Sequence, residues 1–497
     1  MKKILKHILK KIHISKIIGQ TSKLIEGISM DSKTVKKNMI FLARKGKKID
    51  GHQFIMEAIQ KGANTIICEK IHTSLPLIHD HKEITYIVVP NSTDSLGILS
   101  SNFYDNPTRK IKLVGITGTN GKTSVATILH QLFYEMGEKS ILISTMGIKI
   151  LLDEFPTIHT TPDIIEINKY LNLSIQKKCK YAFMEVSSHG IHQKRIDGLL
   201  FSGGVFTNIT HDHLDYHESF ENYLSTKRYF FSNFLHQDAF ALINSDDQNS
   251  HKIIKNILAK TYSYGIKKKA DYNIKILERN GNGNKLLINN GQAFLTCLIG
   301  EFNVYNLLAS YVTAILLGKK KHEILKKIKK VQPIKGRFEQ FLSYSGIRII
   351  IDYAHNPGGL KTVLKTIKKM KKKDEKLICV IGCGGNRDRE KRSLMGRIVY
   401  ETCDRSIFTS DNPREEDPNK ILTEMKKFRS YKKEYSSSII TVINRKKAIE
   451  TAIQIAKKKD IILIAGKGHE NYQEIKGKRY FFDDMKIVKT LLLNNNK

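Results

Sequence analysis

Tryptophan is missing from this chain, and acidic residues are scarce. Lysine and arginine number 84 against 48 aspartate and glutamate, a formal net charge of +36. Yet the lysines are spread over the whole length, in runs such as 319–321 and 371–373, beside isoleucine and asparagine and not among aromatic residues. A nucleic-acid groove needs a localised basic stripe with interleaved aromatics, so solvated basic surface is the better reading, and acidic small molecules remain suitable partners. The six cysteines, at 68, 179, 297, 379, 383 and 403, make no CxxC pair and no metal-finger spacing. Reduced thiols in a cytosolic protein are expected, not a disulfide scaffold. Long apolar runs are lacking too. Residues 1–16 are basic, with their apolar positions broken by Lys and His, unlike a signal peptide, and no run reaches transmembrane length. These absences predict a cytoplasmic chain without membrane insertion, leaving at most a weak attraction of the first helix to a membrane surface.

What is there begins with length: 497 residues allow about three domains, each with its own core. The most informative stretch is Val114-Gly115-Ile116-Thr117-Gly118-Thr119-Asn120-Gly121-Lys122-Thr123-Ser124. Residues 111–116 read as a buried strand, and Val125, Ile128, Leu129, Leu132, Phe133 and Met136 recur at helical spacing. A glycine-rich turn between strand and helix aims successive N–H groups at one spot, which suits a polyphosphate. Lys122 adds a cation and Thr123 a hydroxyl for Mg²⁺. The strict phosphate-loop pattern places glycine where this chain has Ile116, with Gly115 and Gly118 on either side.

Three units follow from the breaks in pattern. The first, 1–107, is a small α/β unit with strands at 40–43, 65–69 and 86–90 and a helix at 54–60. Its Asp31-Ser32-Lys33 and 45–51 segments are polar loops that either hold a ligand or simply turn the chain. Asp105-Asn106-Pro107 ends it. The second, 108–333, continues with strands at 140–144, 181–186 and 203–209. Glu185, at a strand's carboxyl end near the phosphate loop, is the first metal candidate. Thr210-His211-Asp212-His213-Leu214-Asp215-Tyr216-His217 is a metal cluster or a polar loop in equal measure. In the next helix Lys227 falls inside the stripe Phe220, Leu224, Phe231 and Phe234. On pattern alone its stem snorkels to water; a desolvated lysine would instead be a nucleophile, even towards CO₂. Gly300–Asn306 opens a helix at 307–317, and Asn303 and Asn306, one turn apart, lie on one face, where they read a base, bridge domains or, for Asn303, cap the helix. Val331-Gln332-Pro333 marks the second boundary, with Arg337 beside it. The third unit, 334–497, repeats one design four times: strands at 347–351, 377–381, 405–408 and 461–465 each end in a polar cluster. In a parallel sheet with crossover helices those ends meet at one rim, so the clusters at Asp352–Pro357, Gly384–Arg389, Ser410–Arg414 and Gly466–Glu470 predict a binding site.

Taken together, Gly118–Ser124, Glu185–His189, Asn208–Asp215, Lys227, Asn303–Asn306, Gly336–Glu339 and Asp352–Pro357, in this order, resemble the Mur ligase family of peptidoglycan synthesis. The resemblance covers nearly the whole chain. It implies an α/β fold of three domains: a UDP-binding unit, a central ATPase-like unit with a mostly parallel sheet, and a Rossmann-like C-terminal unit. It implies ATP-dependent amide formation through an acyl phosphate, with Mg²⁺. The family pattern puts Gly118, Thr119, Asn120, Gly121, Lys122, Thr123 and Ser124 on the phosphates, and Thr123 and Glu185 on one Mg²⁺. Carbamylated Lys227 and His213 serve a second, and Lys122, Lys227 and His213 become the catalytic set. Asn303, Asn306, Arg337 and Asp352 become nucleotide contacts, and Ser32, Thr160, Thr161, Ser187, Gln193 and Arg195 hold the UDP-sugar peptide. Gly46-Lys47-Lys48 stands where the family often has Gly-His-Gln for the uridine, and His159 where Asn is common.

Within the family, Asp411-Asn412-Pro413-Arg414 resembles the signature of members that add meso-diaminopimelate to the UDP-muramoyl dipeptide, accompanied by Arg387, Gly466 and Glu470. The chemistry agrees. A guanidinium can grip the second carboxylate of that amino acid, while Asp411 or Glu470 takes its ammonium. Arg414 speaks against a lysine-adding relative, and the segments around Thr160 and Ser187–Arg195 against a folylpolyglutamate synthetase. A basic nucleic-acid-binding ATPase is the remaining alternative. A monomer acting on small molecules is expected.

Overall fold

The computed structural model describes residues 1–46, 49–71, 83–281, 283–428 and 438–494. Lys47 and Lys48, where a uridine contact was sought, lie outside them. Three main sheets organise the chain. In the first, five strands run in the order Lys16–Ile18, Thr85–Val88, Ala63–Cys68, Met39–Leu42, Gly27–Ser29; only the outermost pair, Lys16–Ile18 with Thr85–Val88, is antiparallel. The N-terminus departs from the reading of an amphipathic first helix. Lys3–Ile4 is a strand and Leu5–Ile8 a helix of four residues, with Leu5 and Ile8 fully buried. The apolar surface of Leu5 and Ile8 is spent on the core.

The second sheet has eleven strands. At its centre Lys112–Thr117 lies parallel between Tyr181–Glu185 and Phe201–Phe206. Its residues are apolar on both faces because helices cover both, so it reads as a continuous hydrophobic run with no alternation. Ile116, at the position where a phosphate loop has glycine, is buried core. Beyond Phe201–Phe206 the sheet continues through Leu235–Asn244, Lys260–Gly265, Tyr272–Asn280, Gly283–Ile288 and Ala293–Thr296, the last three pairing antiparallel. The helix Phe220–Asn233 ends just before this run, so Phe234, the last residue of the apolar stripe read from the sequence, is its C-cap and Leu235 opens a strand.

The third sheet has six strands in the order Glu339–Leu342, Arg348–Asp352, Ile461–Ala465, Leu377–Ile381, Arg405–Phe408, Ser438–Thr441. All but the first are parallel. The four strands read from sequence therefore do point the same way, and their polar ends share one rim. Among the described residues no helix is long and apolar enough to cross a membrane.

Candidate active site

The carboxyl ends of the second and third sheets face each other across a cleft of about 1390 Å³. On one wall, the phosphate loop passes from Thr117 into the helix Lys122–Glu135. Gly121 caps that helix at φ +88°, and a Cβ there would come 2.6 Å from Asn306 Oδ1. Only glycine lets the loop lie against that asparagine. Lys122 donates to the carbonyls of Gly118 (3.0 Å) and Thr119 (2.8 Å). Asn208 braces the loop, accepting from Asn120 N–H at 3.1 Å and donating to Asn120 O at 3.0 Å.

Lys227 does not snorkel. It is buried beneath the loop, donates to Gly118 O at 2.9 Å and sits 4.6 Å from the centre of the Tyr223 ring. Burial, then the neighbouring Lys122, push its pKa well down, towards a neutral amine. Glu185 is also buried. Its Oε1 accepts from Thr145 N–H at 2.9 Å, and among the described residues no cationic side chain stands within ion-pair distance of it. Burial likewise holds His213 well below its ordinary pKa, leaving its imidazole neutral.

These groups meet the requirements of Mg²⁺ on chemical grounds. The buried Glu185 carboxylate, in no direct ion pair, and the Thr123 hydroxyl, both on the cleft lining, are hard oxygen donors, and a buried neutral amine at Lys227 is the form that takes up CO₂. Among the described residues no three His, Cys, Asp or Glu side chains already converge as a metal site.

The opposite wall comes from the third sheet. Arg337 donates from Nη2 to Thr123 Oγ1 at 2.8 Å and stacks 4.2 Å over the Tyr353 ring. Asp352 accepts from Phe338 N–H and Ala354 N–H, both at 2.7 Å; burial lifts its carboxyl to about 6 against the pull of Arg337. Asn356 reaches across, donating to Asp212 Oδ2 (2.9 Å) and Asn120 Oδ1 (3.2 Å). Further along the rim, Asn412 donates to Glu470 Oε2 at 2.9 Å, and Arg414 donates to Gly385 O at 2.8 Å with its Nε 3.3 Å from Glu474.

The cleft thus gathers Thr119–Ser124, Thr160, Glu185, Ser187, Gln193, Arg195, His213, Asn306, Arg337, Asp352, Arg387, Asp411, Asn412, Arg414, Gly466 and Glu470. Six sequence candidates are not on its lining. Gly118 and Lys227 lie beneath the floor, Pro413 behind Gly385, and Thr161 donates inward to Glu185 O at 2.8 Å. Asn303 neither caps the helix Glu301–Leu316, whose cap is Gly300, nor faces the cleft; it accepts from Asn306 Nδ2 at 3.3 Å and donates to Ile299 O. Ser32 stands apart, donating to Glu57 at 2.7 Å. Sequence reading assigned no role to Tyr353, which carries Arg337, or to His469, which lines the cleft and whose imidazole burial holds at about 3. Both sit in the polar strand-end clusters, which was their only signal.

Known proteins share this arrangement. Family models described as Mur ligase family, catalytic domain; Mur ligase middle domain; and Mur ligase, glutamate ligase domain match residues 24–104, 116–314 and 336–468. A UDP-N-acetylmuramoyl-L-alanyl-D-glutamate--2,6-diaminopimelate ligase from Cytophaga hutchinsonii is 46% identical over 488 residues, 98% of this chain and 99% of that protein. The protein of that name from Phocaeicola vulgatus is 46% identical over 490 residues, 99% of each. Among solved structures, one of a ligase with the same name superposes with a TM-score of 0.68 at 30% identity, covering 100% of both chains. A MurF ligase from Thermotoga maritima in complex with ADP shares the fold, with a TM-score of 0.65 at 18% identity over 95% of this chain and 98% of that one. Matched in order along nearly its full length, the chain belongs to the Mur ligase family.

Proposed function

We infer that the chain is an ATP-dependent ligase of peptidoglycan precursor synthesis, joining meso-diaminopimelate to UDP-N-acetylmuramoyl-L-alanyl-D-glutamate. The observation that carries this reading is that one cleft holds both the phosphate loop and the Asp411–Arg414 rim. The work divides among the three units 1–107, 108–333 and 334–497, in a cytoplasmic monomer. Lys122 and the N–H groups of Gly118–Ser124 bind the ATP phosphates. Asn306, steadied by Asn303, together with Arg337 and Asp352, orients the nucleotide. Thr160, Ser187, Gln193 and Arg195 hold the UDP-linked dipeptide, with Thr161 fixing the Ser187 turn and Ser32 contacting the far end of that substrate.

Thr123 and Glu185 would hold one Mg²⁺, and carbamylated Lys227 with His213 a second; when bound, the ions offset the crowded phosphate charge. The D-glutamate carboxylate attacks the γ-phosphate and ADP leaves. The amine of diaminopimelate, having lost a proton, then attacks the acyl carbon; the amide forms as inorganic phosphate departs. Arg387 and Arg414 grip the distal carboxylate, and Asp411, Asn412 and Glu470 the distal ammonium beside Gly466, while Pro413 backs the rim from behind Gly385. The apposed walls keep water from the acyl phosphate.

The test is phosphate release from ATP with the UDP-muramoyl dipeptide, given meso-diaminopimelate or L-lysine. Release strongly favouring diaminopimelate supports the reading. A preference for lysine overturns the specificity, and no release with either overturns the function.

A further inference from the structure

Lys467 lies between two glycines at the end of the strand Ile461–Ala465, where a solvated loop lysine would be unremarkable, yet its side chain is fully buried. Gly466 has φ +109°, and a Cβ there would lie 2.6 Å from Asp411 Oδ2, so the turn lies close against the Asp411 loop, and Lys467 turns inward. Its ammonium donates to Asn412 Oδ1 and to Glu470 Oε2, both at 3.0 Å, and stands 3.8 Å from Asp411 Oδ1. Three groups on the cleft lining therefore meet behind it at one cation that is not on the lining itself.

The hydrogen bonds around it have a single consistent assignment. Asn412 Oδ1 faces two donors, the Lys467 ammonium and the Glu474 N–H at 2.9 Å. The amide nitrogen must then point the other way, where it donates to Glu470 Oε2. One oxygen of Glu470 is thus occupied by Lys467 and Asn412, and the other faces Tyr353 Oη at 3.4 Å. Without the ammonium, Glu470 would be a half-buried carboxylate with no cation in hydrogen-bond contact and Asn412 would lose the contact that sets its flip.

We propose that Lys467 is a positioning residue for the amino-acid substrate: it fixes the orientation of Asn412 and Glu470 and halves the negative charge that Asp411 and Glu470 present to the distal ammonium. The inference rests on diaminopimelate being read at this rim.

The test uses the full-length wild type, Lys467→Met, Glu470→Gln and the double variant, varying each substrate in turn while following phosphate release. Lys467→Met should raise KM for diaminopimelate about tenfold to a hundredfold, the loss of hydrogen bonds to charged groups, and leave KM for ATP within about twofold. In the Glu470→Gln background, where the cation's hydrogen-bonded carboxylate is gone and only the longer Asp411 contact is left, the same substitution should change KM for diaminopimelate by less than about threefold. Equal rises in KM for all substrates, a fall in kcat alone, or factors that multiply in the double variant would overturn the proposal. Should Lys467→Met not fold, Lys467→Gln keeps an N–H donor without the charge and reads the same split. If the wild type releases phosphate with neither amino acid, the functional reading fails; if it uses diaminopimelate and KM in the variants stays put, only the role of Lys467 does.

Discussion

The two ends of the cleft treat positive charge in opposite ways. At the phosphate end, Lys122 and Lys227 donate only to backbone carbonyls, and among the described residues no carboxylate stands within ion-pair distance of either. Burial depresses the pKa of both. At the amino-acid end every buried cation has its own anion: Arg392 pairs with Glu416 and Glu424 at 2.9 and 2.8 Å, Arg445 with Asp484 at 2.8 Å, and Lys467 with Glu470. On the proposed function the difference follows the cargo. A polyanion brings the missing charge with it, so an unpaired lysine waits at low cost only while it can be neutral. A zwitterion brings none in net, so its site must be balanced in advance.

The sharpest way to break this comparison is at Lys227. Replacing it with Met should lower kcat by about a thousandfold while leaving the unfolding midpoint unchanged or higher, because a buried amine without an anion partner contributes no ion pair to the fold. Full activity in that variant would remove the second-metal assignment. At the balanced end the expectation inverts. Arg392→Met should cost about 3 kcal/mol of stability in chemical denaturation, since it strands Glu416 and Glu424. The same pair carries a pH signature: its hydrogen bond to Arg392 holds Glu416 at about 2, below the ordinary 4.5. Its stabilisation is therefore complete above about pH 4.5 and fades as pH falls towards 2, and Arg392→Met should flatten that part of the stability profile. A smaller effect is expected from Arg414→Ala, about a tenfold loss of the preference for diaminopimelate over lysine, read from the ratio of kcat/KM. Smallest of all, raising salt from about 0.05 to 0.5 M should lift KM for ATP severalfold and KM for diaminopimelate by less than about twofold, because screening acts on net charge. Equal salt slopes would erase the distinction.

Buried parallel strands announced themselves in the sequence because they are apolar on both faces. Those at Ser140–Ser144, Leu377–Ile381, Arg405–Phe408 and Ile461–Ala465 have the bounds read from composition. The stretch from Leu235 to Thr296 was passed over, since its outer strands are half exposed, interrupted by Lys, Asn and Gly, and held by pairing with a sheet that local pattern cannot reveal. The site divides along similar lines. The phosphate loop was legible because its chemistry is local, one turn between one strand and one helix. Asn303 was misread because helical spacing puts two asparagines on one face without saying that the inner one props the outer. Lys467 had only its place in the Gly466–Glu470 cluster as a signal, and its burial was hidden, as a lysine between glycines looks like any surface turn until the Asp411 loop is laid against it.

The central strand of the eleven-stranded sheet has a bearing on how the protein is made. Synthesis runs from the N-terminus, and Lys112–Thr117 emerges before either of its neighbours, Tyr181–Glu185 and Phe201–Phe206. The phosphate loop therefore acquires its bracing asparagine, Asn208, only after some ninety further residues have left the ribosome, and its Arg337 and Asn356 later still. The nucleotide end matures in the order in which its parts are translated, and a nascent chain holds a loop of the right sequence well before it holds a place for ATP.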